Sequence, residues 1–392
     1  MSLAVVAGVV TVAAFVVGAI LSAIAIRIAP KLGLVDAPGG RKAHKAPTPM
    51  GGGVAIWLTV ILGLGLATLV VKFPPDWLPD ELARHASGAR EKIPRLWGIL
   101  MLSSVIMAMG LADDRFGLGW KPRLFVQVGL ATLLVTWLGV HVTLFGPFSH
   151  PLVSGAITVL WVVGLTNSFN FLDNMDGLAA GVGLIAASLF VAAQVAVESL
   201  FVPAVLLVLI GALGGFLVYN RSPARLFMGD AGSNFLGFML GTWTVEGTFT
   251  RDPYSPFSVL TPLLVMAVPL YDTISVIAIR LKEGRSPFQA DRSHFSHRLV
   301  DRGLTAPAAV RTIDLVTLAG GLGALLLHRP EMDALGASII VGQALCLLGV
   351  VAVLEVSRKP ERIDAPTHAD PNPQSRDAAP LPRLHGSDQA AR

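Results

Sequence analysis

The sequence predicts an all-α, polytopic integral membrane protein with about eleven transmembrane helices and its reactive groups gathered at the cytoplasmic face. Three observations predict it. Hydrophobic residues make up 53% of the 392 positions and charged residues only 14%, with a mean hydropathy of +0.65, which is too apolar for an ordinary water-soluble chain of this length. Apolar runs of about 20 residues, each enough to cross a hydrocarbon core, recur along the chain. The side chains that hydrocarbon rejects fall mostly in the segments that follow every second run.

A spanning segment must pair its own backbone groups, so the runs are read as helices. They lie near residues 3–25, 51–71, 95–112, 123–140, 151–167, 178–196, 200–219, 232–248, 258–280, 307–327 and 334–356. The first carries no charge before Arg27 and lacks a basic start, so it reads as a retained helix rather than a cleaved leader. The segment between Phe73 and Arg95 is too short for a folded domain of its own. Cys346, the single cysteine, sits inside the last run, which excludes an internal disulfide and a cysteine metal cluster. From Ser357 onward Pro, Asp, Arg and Ala dominate, and 357–392 is expected to be a disordered tail with no catalytic role.

Arg and Lys set the orientation. The segments after runs one, three, five, seven and nine, together with the tail, hold 23 of the 30 basic residues. The positive-inside rule therefore expects the N-terminus outside and the C-terminus in the cytoplasm. The same cationic segments beside anionic lipid explain the formal charge of +4 without nucleic acid.

Five polar segments carry candidate chemistry. Residues 36–53 contain Arg41, Lys42, His44 and Lys45 followed by prolines and Gly51-Gly52-Gly53; this suits a phosphate, although the segment by itself reads more readily as a basic membrane anchor. Asp113 and Asp114 repel one another and need a cation, either a metal or a nearby base such as Arg115, Lys121 or Arg123. Residues 166–178 bring Asn170, Asp173, Asn174 and Asp176 without any lysine or arginine. Continued as a helix, their spacing puts oxygen ligands suited to magnesium on one face. Phe227-Met228-Gly229-Asp230-Ala231-Gly232-Ser233 reads as a helix start, where Asp230 either holds a metal against phosphate or merely caps the helix. Asp291-Arg292-Ser293-His294-Phe295-Ser296-His297-Arg298 offers acid–base groups or a phosphate clamp, or else a solvated basic loop. Zinc is disfavoured there, since no third nitrogen or sulfur ligand lies nearby.

In this order, the series Arg41-Lys42-Ala43-His44 with Pro47 and Gly51-Gly52, Asp113-Asp114, Asn167 to Gly177, Phe227 to Ser233, and Asp291 to His297 resembles the polyprenyl-phosphate N-acetylhexosamine-1-phosphate transferases. The resemblance covers residues 1–356, which become the transferase domain. It implies a bacterial inner-membrane enzyme that moves a sugar 1-phosphate, N-acetylglucosamine 1-phosphate above others, from a UDP-amino sugar to undecaprenyl phosphate. UMP is released, magnesium is required, and a cell-envelope polysaccharide is begun. It also implies Asn170 and Asp230 as metal ligands, and Asp113 or Asp114 activating or positioning the lipid phosphate. Asp173 and Asp176 become further catalytic acids. Arg41, Lys42, His44, Arg292, His294, His297 and Arg298 become contacts to phosphate or sugar. The branch that uses UDP-N-acetylmuramoyl-pentapeptide carries three consecutive histidines in the late segment, where this chain has His294-Phe295-Ser296-His297, with Ser296 in place of a histidine found in nearer relatives. The resemblance leaves the oligomeric state open, a homodimer included.

Other readings are a lipid phosphatase or head-group transferase, which would not need a UDP-sugar, and a transporter. A transporter places its polar groups near the bilayer midplane, whereas here they gather at run ends.

Overall fold

The computed structural model describes residues 2–36, 47–75, 80–142, 150–247, 255–288 and 293–356. Arg41, Lys42, His44 and Arg292 lie outside them, as does the tail 357–392. The described chain is helical but for one two-stranded ribbon, β1 (Val35–Asp36) antiparallel to β2 (Thr48–Pro49).

The helices run in order: α1 (Leu3–Ile28), α2 (Gly52–Lys72), α3 (Asp80–Phe116), α4 (Trp120–Thr136), α5 (Pro151–Leu172), α6 (Leu178–Ala196), α7 (Phe201–Asn220), α8 (Gly229–Glu246), α9 (Thr261–Val265), α10 (Ala267–Lys282), α11 (Phe295–Asp301), α12 (Ala306–Leu325) and α13 (Ala334–Val356). Every apolar run is helical over most of its described residues, and the protein is a multi-pass membrane protein. By length and composition eight described helices are fit to cross a membrane, or nine if α9 and α10, bent by 59° at Met266, count as one broken span. Eleven was the expectation. The shortfall lies in α4, only 17 residues long, and in α8, which opens with Gly229-Asp230-Ala231-Gly232-Ser233-Asn234.

Burial explains α8. Ala231 to Thr244 are buried on all sides, with α3, α5 and α2 packed around them. A helix that meets protein rather than lipid tolerates polar residues and needs small ones where neighbours approach. A Cβ on Gly53 of α2 would fall on the backbone of Gly232, and one on Gly110 of α3 would fall on the carbonyl of Asp230. At the periphery, α1 turns Val9 and Ile20 outward and α13 turns Leu335 and Val353 outward, an apolar surface suited to lipid.

The structure departs from expectation in two further places. α3 begins at Asp80, so much of the segment read as a connector is helix and continues unbroken through Pro94. Asp113 and Asp114 accordingly sit in the last turn of a helix rather than in a loop. Residues 166–178, read as a polar segment whose acids would share a face if helical, are helical only to Leu172, with Asp173 as the C-cap, and Gly177 at φ +78° starts α6 in a new direction. Asn170, Asp173 and Asp176 therefore do not share one helical face.

Candidate active site

Four helix ends meet around the carboxylates. The end of α3 brings Asp113 and Asp114, the start of α4 brings Arg123, the end of α5 brings Asn170, and the start of α8 brings Asp230 and Ser233. The ribbon region fixes a fifth element against them: Gly52 and Gly53 N–H groups donate to the carbonyls of Phe227 and Met228 at 3.0 and 2.9 Å, which ties the start of α2 to the segment entering α8.

The exposed N–H groups at the head of a helix need an acceptor. Neither Asp230 nor Ser233 supplies it, and Met228 in the N-cap position makes no capping bond. Asp114 does so from α3: its carboxylate accepts the N–H of Asp230 at 2.7 Å and of Ala231 at 3.1 Å. Gly229 makes room for this with φ +72°, and a Cβ there would stand 2.6 Å from Asp114 Oδ2.

Asp113 and Asp230 share one cation. Arg123 Nη1 pairs with Asp113 Oδ2 and donates to Asp230 Oδ2 at 2.8 Å. The partner of Asp113 is thus Arg123, not the adjacent Arg115. Asn170 Nδ2 donates to Asp230 Oδ1 at 2.8 Å and to Ser233 Oγ at 3.1 Å. Asp113 is buried, whereas the side chains of Asp230 and Arg123 are 33% and 27% exposed and form the open edge of the cluster. Behind them runs a chain of amides: Asn167 donates to Gln127 at 2.7 Å, Gln127 to Asn234 at 2.9 Å, and Asn234 to the Asp230 carbonyl at 2.7 Å. These bonds satisfy polar groups where water is excluded and fix the relative positions of α4, α5 and α8.

The segment after α5 divides its labour. Asp176 accepts the N–H of Ala224, and Gly177 N–H donates to Asn220 Oδ1, both at 3.0 Å, so Asp176 holds the connection between α7 and α8. Asp173 makes no side-chain hydrogen bond among the described residues. Burial first, and then the negative charges of Asp114 and Asp176, raise its carboxyl from 3.8 to about 7.

The late segment is not a solvated loop. His294 and Phe295 are buried, and the N–H of Phe295 donates to Asp272 of α10 at 2.9 Å. Ser296, fully buried, donates to Asn174 Oδ1 at 2.6 Å. His297 stands edge-on to His294, ring centroids 6.5 Å apart. Arg298, expected at the substrate, has its guanidinium engaged elsewhere: Nε and Nη2 meet Glu355 of α13 at 3.0 and 2.8 Å, Nη2 also meets Ser275, and Nη1 meets the Ser293 carbonyl. A guanidinium neutralised by a buried carboxylate serves the docking of α13.

Asp272 and the Gln127–Asn234 pair were not singled out from sequence, and Arg123 was noted only as a neighbouring cation. Asp272 had a signal: it is a lone carboxylate inside the apolar run 258–280. Gln127 and Asn234 had none, since a single amide in a run is unremarkable until its partner is placed.

Among the described residues no three His, Cys, Asp or Glu side chains stand together as a metal cage. Magnesium asks for less, taking one or two carboxylates and filling its octahedron with water and substrate phosphate. Asp230 and Asn170, side by side with Asp230 at the open edge, supply oxygens of that kind.

Residues 96–248 match the family model of glycosyl transferase family 4. A Bacillus subtilis (strain 168) protein named probable undecaprenyl-phosphate N-acetylglucosaminyl 1-phosphate transferase is 31% identical, over 79% of this chain and 81% of its own. A Mycolicibacterium smegmatis protein named decaprenyl-phosphate N-acetylglucosaminephosphotransferase is 31% identical over 85% and 84%. The Yersinia pestis undecaprenyl-phosphate alpha-N-acetylglucosaminyl 1-phosphate transferase is 30% identical over 77% and 78%. Identity of this order, sustained over most of each chain, together with the family match across residues 96–248, shows that this multi-pass membrane enzyme belongs to glycosyl transferase family 4.

Proposed function

We propose that this enzyme transfers N-acetylglucosamine 1-phosphate from UDP-N-acetylglucosamine to undecaprenyl phosphate, releasing UMP, with magnesium as its cofactor, and so begins a cell-envelope polysaccharide. The observation that carries the reading is the shared cation: Arg123 bridges Asp113 and Asp230 at the meeting point of α3, α4 and α8. A site for two phosphate-bearing substrates needs positive charge held in place before they arrive.

In the reaction an oxygen of the lipid phosphate attacks the sugar-bearing phosphorus, and the bond from that phosphorus to the departing UMP breaks. Arg123 offers donors to phosphate oxygens while Asp113 holds its guanidinium. Asp114 keeps the head of α8 in place, so that Asp230 stays at the open edge. Asn170 and Asp230 would hold magnesium, and Asp173 would add a carboxylate on its side of the site. When bound, the metal neutralises charge on the transferring group. His294 and His297 would meet the donor's diphosphate or sugar, with Arg41, Lys42, His44 and Arg292 adding cations from segments beyond the described residues.

We further read eleven spans, counting α4, α8 and the broken pair α9–α10, with the N-terminus outside, the acid cluster at the cytoplasmic face and 357–392 as a disordered cytoplasmic tail. The distribution of Arg and Lys supports this orientation.

The test is UMP release by the purified protein in detergent with undecaprenyl phosphate and magnesium. UDP-N-acetylglucosamine, UDP-N-acetylgalactosamine and UDP-N-acetylmuramoyl-pentapeptide are offered separately, with Asp230→Ala as control. Turnover with the first donor, lost in the variant, is the expected result. UMP release that proceeds equally without lipid would sink the reading.

A further inference from the structure

We infer that Asp272 is the positioning residue for His294 in the transfer reaction, a role that rests on the function proposed above. Asp272 lies on α10 and is fully buried, and both its oxygens are directed at the first turn of α11. Oδ1 accepts the Phe295 N–H at 2.9 Å and Oδ2 lies 2.8 Å from His294 Nδ1. A carboxylate only accepts hydrogen bonds, so Nδ1 carries a proton and the ring's tautomer and plane are set from behind.

Nε2 is then the ring nitrogen left for substrate. The ring packs edge-on to Phe171, centroids 5.7 Å apart, and Phe171 follows Asn170 directly in α5. Arg280 lies over the ring of Phe171, 5.3 Å from its centroid. Ser296, two residues after His294, is bonded to Asn174. Two contacts of independent kinds therefore dock the turn that carries His294 against the end of α5 and the residues that follow it. Asp272 at Nδ1 thus turns Nε2 towards the site, where it can meet a phosphate oxygen of the donor.

A purely structural Asp272 would serve only as the anchor of α11. The two roles separate in Asp272→Asn, which keeps the volume and an oxygen for Phe295 N–H but removes the charge behind the imidazole. Wild type, Asp272→Asn, His294→Ala and the double variant are compared by lipid-dependent UMP release, with thermal unfolding of each. The positioning role expects Asp272→Asn to lower kcat about 100-fold, the scale of losing one positioned donor in a transition state, with KM for UDP-N-acetylglucosamine changed less than about threefold and the unfolding temperature near that of wild type. In the His294→Ala background the same substitution should cost almost nothing further, since Asp272 acts through that ring. An undiminished loss in that background, or a kcat equal to wild type, overturns the inference while leaving the proposed function intact. A wild type without lipid-dependent UMP release overturns both. Should Asp272→Asn not fold, carbethoxylation of His294 in the wild type, read by peptide mass, provides the second test. UDP-N-acetylglucosamine added without lipid should protect His294, and labelling unaffected by it overturns the assignment of Nε2 to substrate.

Discussion

Asp114, in the last turn of α3, caps α8: its carboxylate accepts the backbone N–H groups of Asp230 and Ala231 at 2.7 and 3.1 Å. The two adjacent aspartates thus do different work. Asp113 is paired with Arg123, while Asp114 completes a helix that lacks a cap of its own.

Asp114→Ala should lower both stability and activity, because two N–H groups at a buried helix start lose a charged acceptor. Losing a cap costs about 0.5–2 kcal/mol, and hydrogen bonds to charged groups lie above the neutral range, so a loss of about 2–3 kcal/mol is expected. Asp114→Asn, which keeps one acceptor oxygen, should fall between. Apparent unfolding temperature in detergent, measured beside UMP release, checks the order; an Ala variant as stable as wild type contradicts the capping role.

Arg123 and magnesium have opposing claims on Asp230. Removing the guanidinium in Arg123→Ala leaves two carboxylates without their cation, so a divalent ion should bind at lower concentration. Turnover should nevertheless fall about 100-fold, as expected for loss of a positioned cation that faces developing charge. Magnesium titration of the activity tests this. A midpoint that moves to higher concentration would mean that Arg123 assists the ion rather than competing with it.

The acid cluster shows what sequence spacing could and could not reveal. Asp113, Asn170 and Asp230 could be singled out because they lie at the ends of apolar runs, and the fold brings all three into one cluster with Arg123. Their true partners could not: Arg123 lies 107 residues from Asp230, and Asp272 meets a histidine 22 residues away only because α10 and α11 fold back on each other. The shared face considered for residues 166–178 required a continued helix, and α5 ends at Leu172 with Gly177 in a left-handed turn that the periodicity of the flanking residues does not register. Arg298 looked like a substrate cation until Glu355, the last charge of α13, was brought beside it.

Asp173 should make the cation-free protein less stable as pH rises. Its carboxyl is raised from 3.8 to about 7 by burial and by Asp114 and Asp176. The folded state therefore holds a proton that the unfolded state releases. Its contribution is fully present below 3.8 and is lost as pH rises through about 7. A divalent cation opposes that loss by stabilising the ionised carboxylate. Unfolding temperature against pH should fall through this window in a chelator, fall less with magnesium, and flatten in Asp173→Asn. A slope of opposite sign in the chelator rules the assignment out.

Close approach of α2 to α8 depends on Gly53, whose Cβ would fall on the backbone of Gly232. A clash with backbone cannot be relieved by a rotamer change, so the helices must separate, and overpacking of this kind costs about 1–3 kcal/mol or more. Gly53→Ala should be poorly folded and inactive. Gly8→Ala is the control, since nothing lies within 4 Å of a Cβ there, and helix propensity should leave it neutral or better by up to about 1 kcal/mol. Yield of monodisperse protein and unfolding temperature distinguish the two.

Ser296 stands where nearer relatives are expected to carry a histidine, yet its surroundings are those of a packing residue. It is fully buried, and its hydroxyl donates to Asn174 Oδ1 at 2.6 Å while Asn174 Nδ2 donates to the Phe171 carbonyl at 2.7 Å. The pair ties α11 to the segment that holds Asp173 and Asp176. Ser296→Ala leaves the half-buried amide oxygen of Asn174 without this donor, which costs about 1 kcal/mol. Because the hydroxyl reaches Asn174, the variant should loosen residues 173–177 and raise the magnesium concentration needed for turnover. It should leave the choice among UDP-amino sugars unchanged. Ser296→His must force an imidazole into a filled space and should be less stable than Ser296→Ala. Donor competition assays on Ser296→Ala decide the point: a changed ratio of UDP-N-acetylglucosamine to UDP-N-acetylgalactosamine use would make Ser296 a specificity residue, and an unchanged ratio with a raised magnesium requirement assigns it to the acid segment.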